Sequence, residues 1–406
     1  MFDVLRVRDF RLVTAADLLS SLGDWLLLVA APYFVLRLTG STLATGLTLA
    51  AETVPALLLG PVAGVFADRW DRRRTMLAID VLRAATVALM LLVHHPGQVW
   101  LIYAALIGES GLGQFFGPAR RALVPVLVGR GPRLAAANSV AALVSGTVRL
   151  VGGPAGGALY ALAGFGPVVA LDVASYLVSA ILITAVRHRP EPAPAQRDGS
   201  TVVSRFTSDL RAGAAHLRAT PGLPAVFATA SVFLFGNAAL TALLVPYTGT
   251  VLHAGSGTLG LLFAALGAGY LAGAPLSRAA AAHLSDRTVM ISSLAGLSAV
   301  FAVAFNTHDM AWALVLFVLI GPPGVCFLVT VDTCLARRTP DALLGRVSSA
   351  YGMLQAAATL AGMLGGAALG QRAGIGITAD LAALCVAVSA ATALLTPRRT
   401  TADRPA

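Results

Sequence analysis

Lysine is absent from this chain of 406 residues: all 29 basic side chains are arginine. A Walker A loop needs a lysine on the nucleotide phosphates, and a Schiff base needs a lysine amine. A chain-borne ATP motor and lysine covalent catalysis are therefore both excluded. Charge of either sign is scarce, at 12% of residues, where a soluble domain carries about 25%. Cysteine is limited to Cys326, Cys334 and Cys385, all in apolar runs, with no spacing that suggests a disulfide framework or a zinc site. There is no His–Glu–x–x–His pattern, and the seven histidines lie at or near predicted loops and helix ends. No Ser/His pair falls at matched membrane depth. The expectation is a protein that is not an enzyme and uses neither metal nor organic cofactor.

What the chain has in abundance is apolar surface: 57% of it is hydrophobic. Runs long enough to cross a bilayer, about 18 residues or more, recur from end to end. They do not alternate polar with apolar, as the strands of a membrane β-barrel do. An all-α polytopic membrane protein follows, with the lipid bilayer as its first partner. The opening MFDVLRVRDFRL is too charged for a signal-peptide core, so the first apolar run is expected to remain as a helix.

The formal charge of +10 would suit nucleic acid, but the arginines sit in short loops between apolar runs. Of the 29, 25 fall in the N-terminus, 67–74, 119–134, 187–222, 278–288, 336–346 and the C-terminus. The opposite loops hold only Arg37 and Arg372. That bias marks the cytoplasmic side, placing both termini and the central linker there in a multi-pass cell-membrane protein. No nucleic-acid partner is expected.

Twelve transmembrane helices are predicted, near 12–36, 43–66, 75–94, 98–118, 136–162 and 167–186, then 223–249, 257–279, 288–306, 311–335, 347–370 and 374–396. Three domains result: a six-helix bundle at 1–186, a cytoplasmic linker at 187–222, and a second six-helix bundle with a short tail at 223–406. The linker begins as Pro-rich RHRPEPAPAQRDGS. It continues with Phe206, Leu210, Ala214 and Leu217 at helical spacing, which predicts an amphipathic helix on the membrane face. The halves carry matching features six helices apart. "PARRALVP" answers "LARRTPDALLGR", and "VGGPAGGALY" answers "AGMLGGAALG". A duplicated six-helix unit is a common plan of secondary transporters.

The segment GVFADRWDRRRTM packs the densest charge of the chain between two apolar runs. It resembles the signature loop of the major facilitator superfamily. Gly64, Asp68, Arg69, Arg72 and Arg73 fit that pattern, and Asp71 stands where the family has a second glycine. "DRWDRRR", "FRLVTAADLLSSLGDWLL", "IDVLRAATV", "LAAANSV", "VRLVGGPAGGAL" and "LLGRVSSAYGML" are similar to the drug:proton antiporter branch of macrolide- and enterobactin-type exporters. The resemblance implies twelve helices in two pseudo-symmetric six-helix bundles. It also implies a gating network in which Asp68 meets Arg120 or Arg121, joined by Asp80 and Arg83. Gly153, Pro154, Gly156 and Gly157 resemble the exporters' helix-five glycine/proline motif, with Ala158 departing from its spacing.

An ionisable side chain at membrane depth costs at least ~2.5 kcal/mol, so each one present needs a reason. Asp24, Glu52, Glu109 and Arg149 fall mid-helix, all in the first half. Asp172 and Asp380 are expected nearer the outer helix ends, and Asp332 nearer an inner one. A polar cavity is implied in which Asp24 and Glu109, then Glu52, carry protons and Arg149 is the charge partner. The expected function is proton-coupled export of small amphipathic molecules by a monomer, with the proton as coupling ion. Two rivals stand beside it: a dedicated siderophore or metabolite exporter of the same fold, and a non-transporting membrane sensor or scaffold.

Overall fold

A computed structural model describes residues 2–67, 71–129, 131–187 and 202–396. Asp68 and Arg69 of the signature loop lie outside the described residues. The chain forms α1 (Arg8–Thr39), α2 (Thr42–Ala67), α3 (Arg72–Ala88), α4 (Val99–Val128), α5 (Pro132–Ala163), α6 (Phe165–Thr184) and α7 (Val202–Ala219). It continues with α8 (Leu223–Pro246), α9 (Ser256–His283), α10 (Asp286–Ala304), α11 (Met310–Arg338), α12 (Asp341–Ala373) and α13 (Ile375–Thr392). Twelve of these, all but α7, are long and apolar enough to cross a membrane.

Most helices overrun the boundaries read from apolar runs. Helix α4 shows why. The apolar run stops near Pro118, yet the helix continues through Pro118 and Pro125 to Val128. Hydropathy reports only the stretch that crosses the bilayer, whereas the helix continues past it. Helix ends follow local chemistry. Gly40, at φ 64°, closes α1 by giving its N–H to the Leu36 carbonyl, a left-handed cap that favours glycine.

By their contacts the residues divide into two compact units. One comprises 1–40, 48–203 and 255–260, the other 41–47, 204–254 and 261–406. Inside the first, α1 packs on α5 and α6, and α3 on α4 and α6. Inside the second, α8 packs on α12 and α13, and α10 on α11 and α13. The same four pairings recur, each moved on by one unit, as a duplicated six-helix plan requires.

Small residues set how closely these helices approach. A Cβ on Gly156 of α5 would stand 2.7 Å from the Leu26 carbonyl oxygen of α1. That neighbour is backbone and cannot swing aside. Gly156→Val should therefore lower the stability of the first unit by ~1–3 kcal/mol, seen as a lower melting temperature of the detergent-purified protein. Helix α7 has a protein partner. Gly213 lies against the Arg346 carbonyl of α12, and the His216 ring lies 3.3 Å from the Arg338 carbonyl of α11. The sequence expectation of a helix resting on the membrane face left out this docking.

Candidate functional site

Helices α3 and α6 run antiparallel, and their facing residues meet in rungs. At the arginine-rich end Arg73 Nε donates to the Ile183 carbonyl at 3.0 Å, and Arg73 also meets the Thr184 carbonyl. Buried Met76 and Ile183 share an apolar layer. Next, Ser179 donates to Asp80. One turn further, the Arg83 guanidinium carbon lies 4.4 Å from the centre of the Tyr176 ring. A cation over an aromatic face in a water-poor site is worth up to ~2 kcal/mol.

Arg83 is the hub of the site. Its Nη2 donates to Asp24 Oδ2 of α1 at 3.1 Å and also to Glu109 Oε1 of α4. The Tyr176 hydroxyl meets Asp24 Oδ1 and lies 3.0 Å from Glu109 Oε1. Four helices thus contribute one residue each. The side chains of Arg83 and Glu109 are 8% and 10% exposed, against 34% for Asp24. Asp24 is therefore the member reachable from outside the unit. Asp172 lies fully buried beside the cluster, its carboxyl against Gly23 of α1. Ser175 donates to its Oδ1 at 3.3 Å, and Oδ2 has no partner.

This geometry corrects several sequence expectations. The charge partner of Asp24 and Glu109 is Arg83, not Arg149. Arg149 lies on an exposed face of α5 and makes no ion pair among the described residues. Asp172, in the half of α6 away from the arginine-rich end, also lies beside the acids, which its sequence position alone did not show. Asp80 and Arg83 turn toward α6 and the cluster. Arg120 pairs with Asp17 of α1 at 2.7 Å and Arg121 is exposed, while the expected meeting of either with Asp68 falls outside the described residues. Glu52 of α2 is half-buried. Its backbone carbonyl accepts from Ser110 at 2.7 Å, but its carboxyl forms no ion pair among the described residues.

Tyr176 and Asp17 carried no weight in the sequence reading. The signal for Tyr176 was present: Asp172, Tyr176 and Ser179 recur at i, i+4 and i+7 on one face of an otherwise apolar helix.

The signature segment is partly explained. Gly64 falls within the closing turns of α2. Arg72 donates to the Ala122 carbonyl of α4 at 3.1 Å, so Arg72 and Arg73 tie the start of α3 to α4 and α6. Asp71, the departure from the family pattern, is the N-cap of α3 and accepts the Arg74 N–H at 2.7 Å. Asp71→Ala should cost ~1 kcal/mol through loss of that cap, measurable as a lowered melting temperature with the helix content of the folded protein unchanged. In the helix-five motif, Gly153 is buried and both it and Pro154 lie against Gly260. Gly156 meets Leu26, and the Gly157 carbonyl accepts from Ser256 at 3.1 Å.

Among the described residues no group of His, Cys, Asp and Glu could hold a metal ion. Twelve spanning helices in two six-helix units, with a cluster of ionisable side chains buried inside one of them, define a membrane transporter of the major facilitator fold. Residues 1–404 match the transmembrane secretion effector family, and the chain belongs to it. It is 26% identical to the multidrug efflux pump Tap of Mycolicibacterium fortuitum over 95% of both chains. It is likewise 26% identical to the uncharacterised transporter YfiS of Bacillus subtilis, over 89% of this chain and 87% of that one. Macrolide efflux protein A of Streptococcus pyogenes is 25% identical over 56% of this chain and 55% of its own. Among solved structures, a bacterial homologue of the iron transporter ferroportin, inward-facing, superposes with a TM-score of 0.73 at 15% identity, covering 96% of this chain and 98% of that one. At that identity the likeness speaks for the fold alone.

Proposed function

We propose that this protein is a proton-coupled antiporter that exports small amphipathic molecules by alternating access, with Asp24 and Glu109 as its proton carriers and Arg83 as their charge partner. The observation that carries this reading is a hydrogen count. The cluster holds four polar contacts: Arg83 to Asp24, Arg83 to Glu109, Tyr176 to Asp24, and Tyr176 to Glu109. The Arg83 Nη2 brings two hydrogens and the Tyr176 hydroxyl one. Ionised carboxylates bring none, so one contact lacks a hydrogen. A proton on either carboxyl supplies it, and taking that proton away leaves two acceptors facing each other. The cluster is thereby built to exist in two protonation states.

Charge supports the same reading. Asp24 and Glu109 share one guanidinium, Asp172 lies buried beside them with no ion pair among the described residues, and buried charges are kept only when paired. A relative named for multidrug efflux and another for macrolide efflux favour amphipathic organic cargo moved outward. The arginine bias supports cytoplasmic termini. The Asp17–Arg120 pair and the Arg72 and Arg73 backbone ties act at that end as the gating contacts. Gly64, Asp68 and Arg69 belong to the same device. In helix five, Gly153, Pro154, Gly156 and Gly157 serve close helix approach.

The test is transport in proteoliposomes with an imposed pH gradient, using ethidium, a rhodamine dye and a macrolide. Flux of at least one compound that disappears when the gradient is collapsed is expected. Folded protein that moves none of them would count against drug export. A catechol siderophore moved in their place would favour the dedicated-exporter reading.

A further inference from the structure

Asp80 is a buried acid that the cluster does not use. Its side chain and that of Ser179 are fully buried. Ser179 donates to Asp80 Oδ2 at 2.5 Å, while Oδ1 has no hydrogen-bond partner. Asp80 forms no ion pair among the described residues. Arg83, one turn along its own helix, is taken by Asp24 and Glu109, and Arg120 of α4 is taken by Asp17. From α1, the charges of Asp24 and Asp17 act on Asp80 as well as that of Arg83. From α6 it faces Ser179, with Tyr176 one turn away.

Such a residue is a poor structural choice. A buried carboxyl with one donor and no cation stabilises less than an apolar side chain of similar size. Its position is specific, however. The Asp80–Ser179 rung is three residues from the Arg83–Tyr176 rung on both helices, on the side of the arginine-rich end. Neighbours at that spacing lie ~5–6 Å apart between Cβ atoms, so Asp80 and Ser179 stand one turn from Arg83 and Tyr176, the two groups that hold the cluster carboxyls. Beyond Asp80 come Met76 and Ile183, fully buried with Val13, Ala16 and Leu123 in an apolar layer. Asp80 is the last buried carboxyl on the α3–α6 seam before that layer.

We infer that Asp80, held by Ser179, is a second proton-holding station in series with the Asp24–Glu109 cluster, on the side of the arginine-rich end. The inference rests on the proposed proton coupling of that cluster. In the transfer step a cluster carboxylic acid gives up its proton and becomes a carboxylate. Asp80 Oδ1, the oxygen without a donor, takes it, and Asp80 becomes the neutral acid. Ser179 goes on donating to Oδ2, and the total charge of the two stations does not change. The acids then titrate in turn, so the cluster can reload while Asp80 still holds its proton.

The test uses the full chain in proteoliposomes, with ethidium or whichever compound of the panel the wild type moves. Two rates are compared: flux driven by a pH gradient, and exchange of labelled for unlabelled compound at equal pH, which needs no net proton movement. In Asp80→Asn, gradient-driven flux should fall by about 10-fold or more, on the scale of removing a placed proton-transfer group, with exchange within about twofold of wild type. Ser179→Ala keeps the carboxyl and guards against a folding failure of Asp80→Asn. It should shift the pH profile of driven flux and leave exchange alone. If both rates fall together in Ser179→Ala, or neither changes in either variant, the relay is overturned. If the wild type moves no compound of the panel in response to the gradient, the coupling on which the relay rests has failed.

Discussion

Asp24→Asn abolishes gradient-driven transport and leaves the protein folded in the membrane. The amide has the size of the acid and keeps hydrogen-bonding atoms for Tyr176 and Arg83, but it cannot take up and release a proton. Asp24 is also the most exposed member of the cluster, at 34% against 10% for Glu109. In the proposed cycle it is therefore the point at which protons or a cationic cargo enter. The expected loss of driven flux is roughly 100-fold or more, the scale on which a positioned proton-transfer group acts. Exchange of cargo at equal pH should persist, because that cycle needs no change in proton count. Driven flux at the wild-type rate in this variant would move the proton role to another acid.

Arg83→Leu produces the largest change in stability. It leaves Asp24 and Glu109 close together without the guanidinium that both contact, and breaking a buried pair in this way costs ~3–5 kcal/mol. Arg83→Lys should not restore function. A lysine ammonium keeps the charge but loses the planar guanidinium that stacks on the Tyr176 ring. Removing the whole constellation should be milder than removing its centre. The triple variant Arg83→Leu, Asp24→Asn, Glu109→Gln should regain most of the melting temperature and none of the coupled transport. That pattern is the signature of a coupled group, and a double-mutant comparison isolates it. If the triple variant melts as low as Arg83→Leu alone, the loss comes from packing around residue 83 and not from unpaired acids.

The helices were legible because bilayer-length apolar runs leave the chain one way to satisfy its backbone. The residues that must be explained were legible too: Asp24 and Glu109 stand out in an apolar sequence through their cost alone. Pairing was not legible. Asp24 meets Arg83 rather than Arg149 because of the direction each helix face points. Arg83 shares a buried face of α3 with Met76, Ile79 and Asp80, while Arg149 lies on an exposed face of α5. Hydropathy gives depth and says nothing of that rotation. The contact of Asp172 with Gly23 was not legible either, since it depends on a close α1–α6 approach that no local pattern encodes. Asp71 was readable as a capping residue ahead of α3, but the family pattern drew attention to the glycine it replaces.

Proton release on cargo binding tests the central claim most directly. Purified protein in weakly buffered detergent solution is mixed with a transported cargo such as ethidium, and the pH change is followed with an indicator dye. The account predicts release of a proton by the wild type and none by Asp24→Asn or Glu109→Gln. Unchanged release in both variants, with cargo still bound, would contradict it.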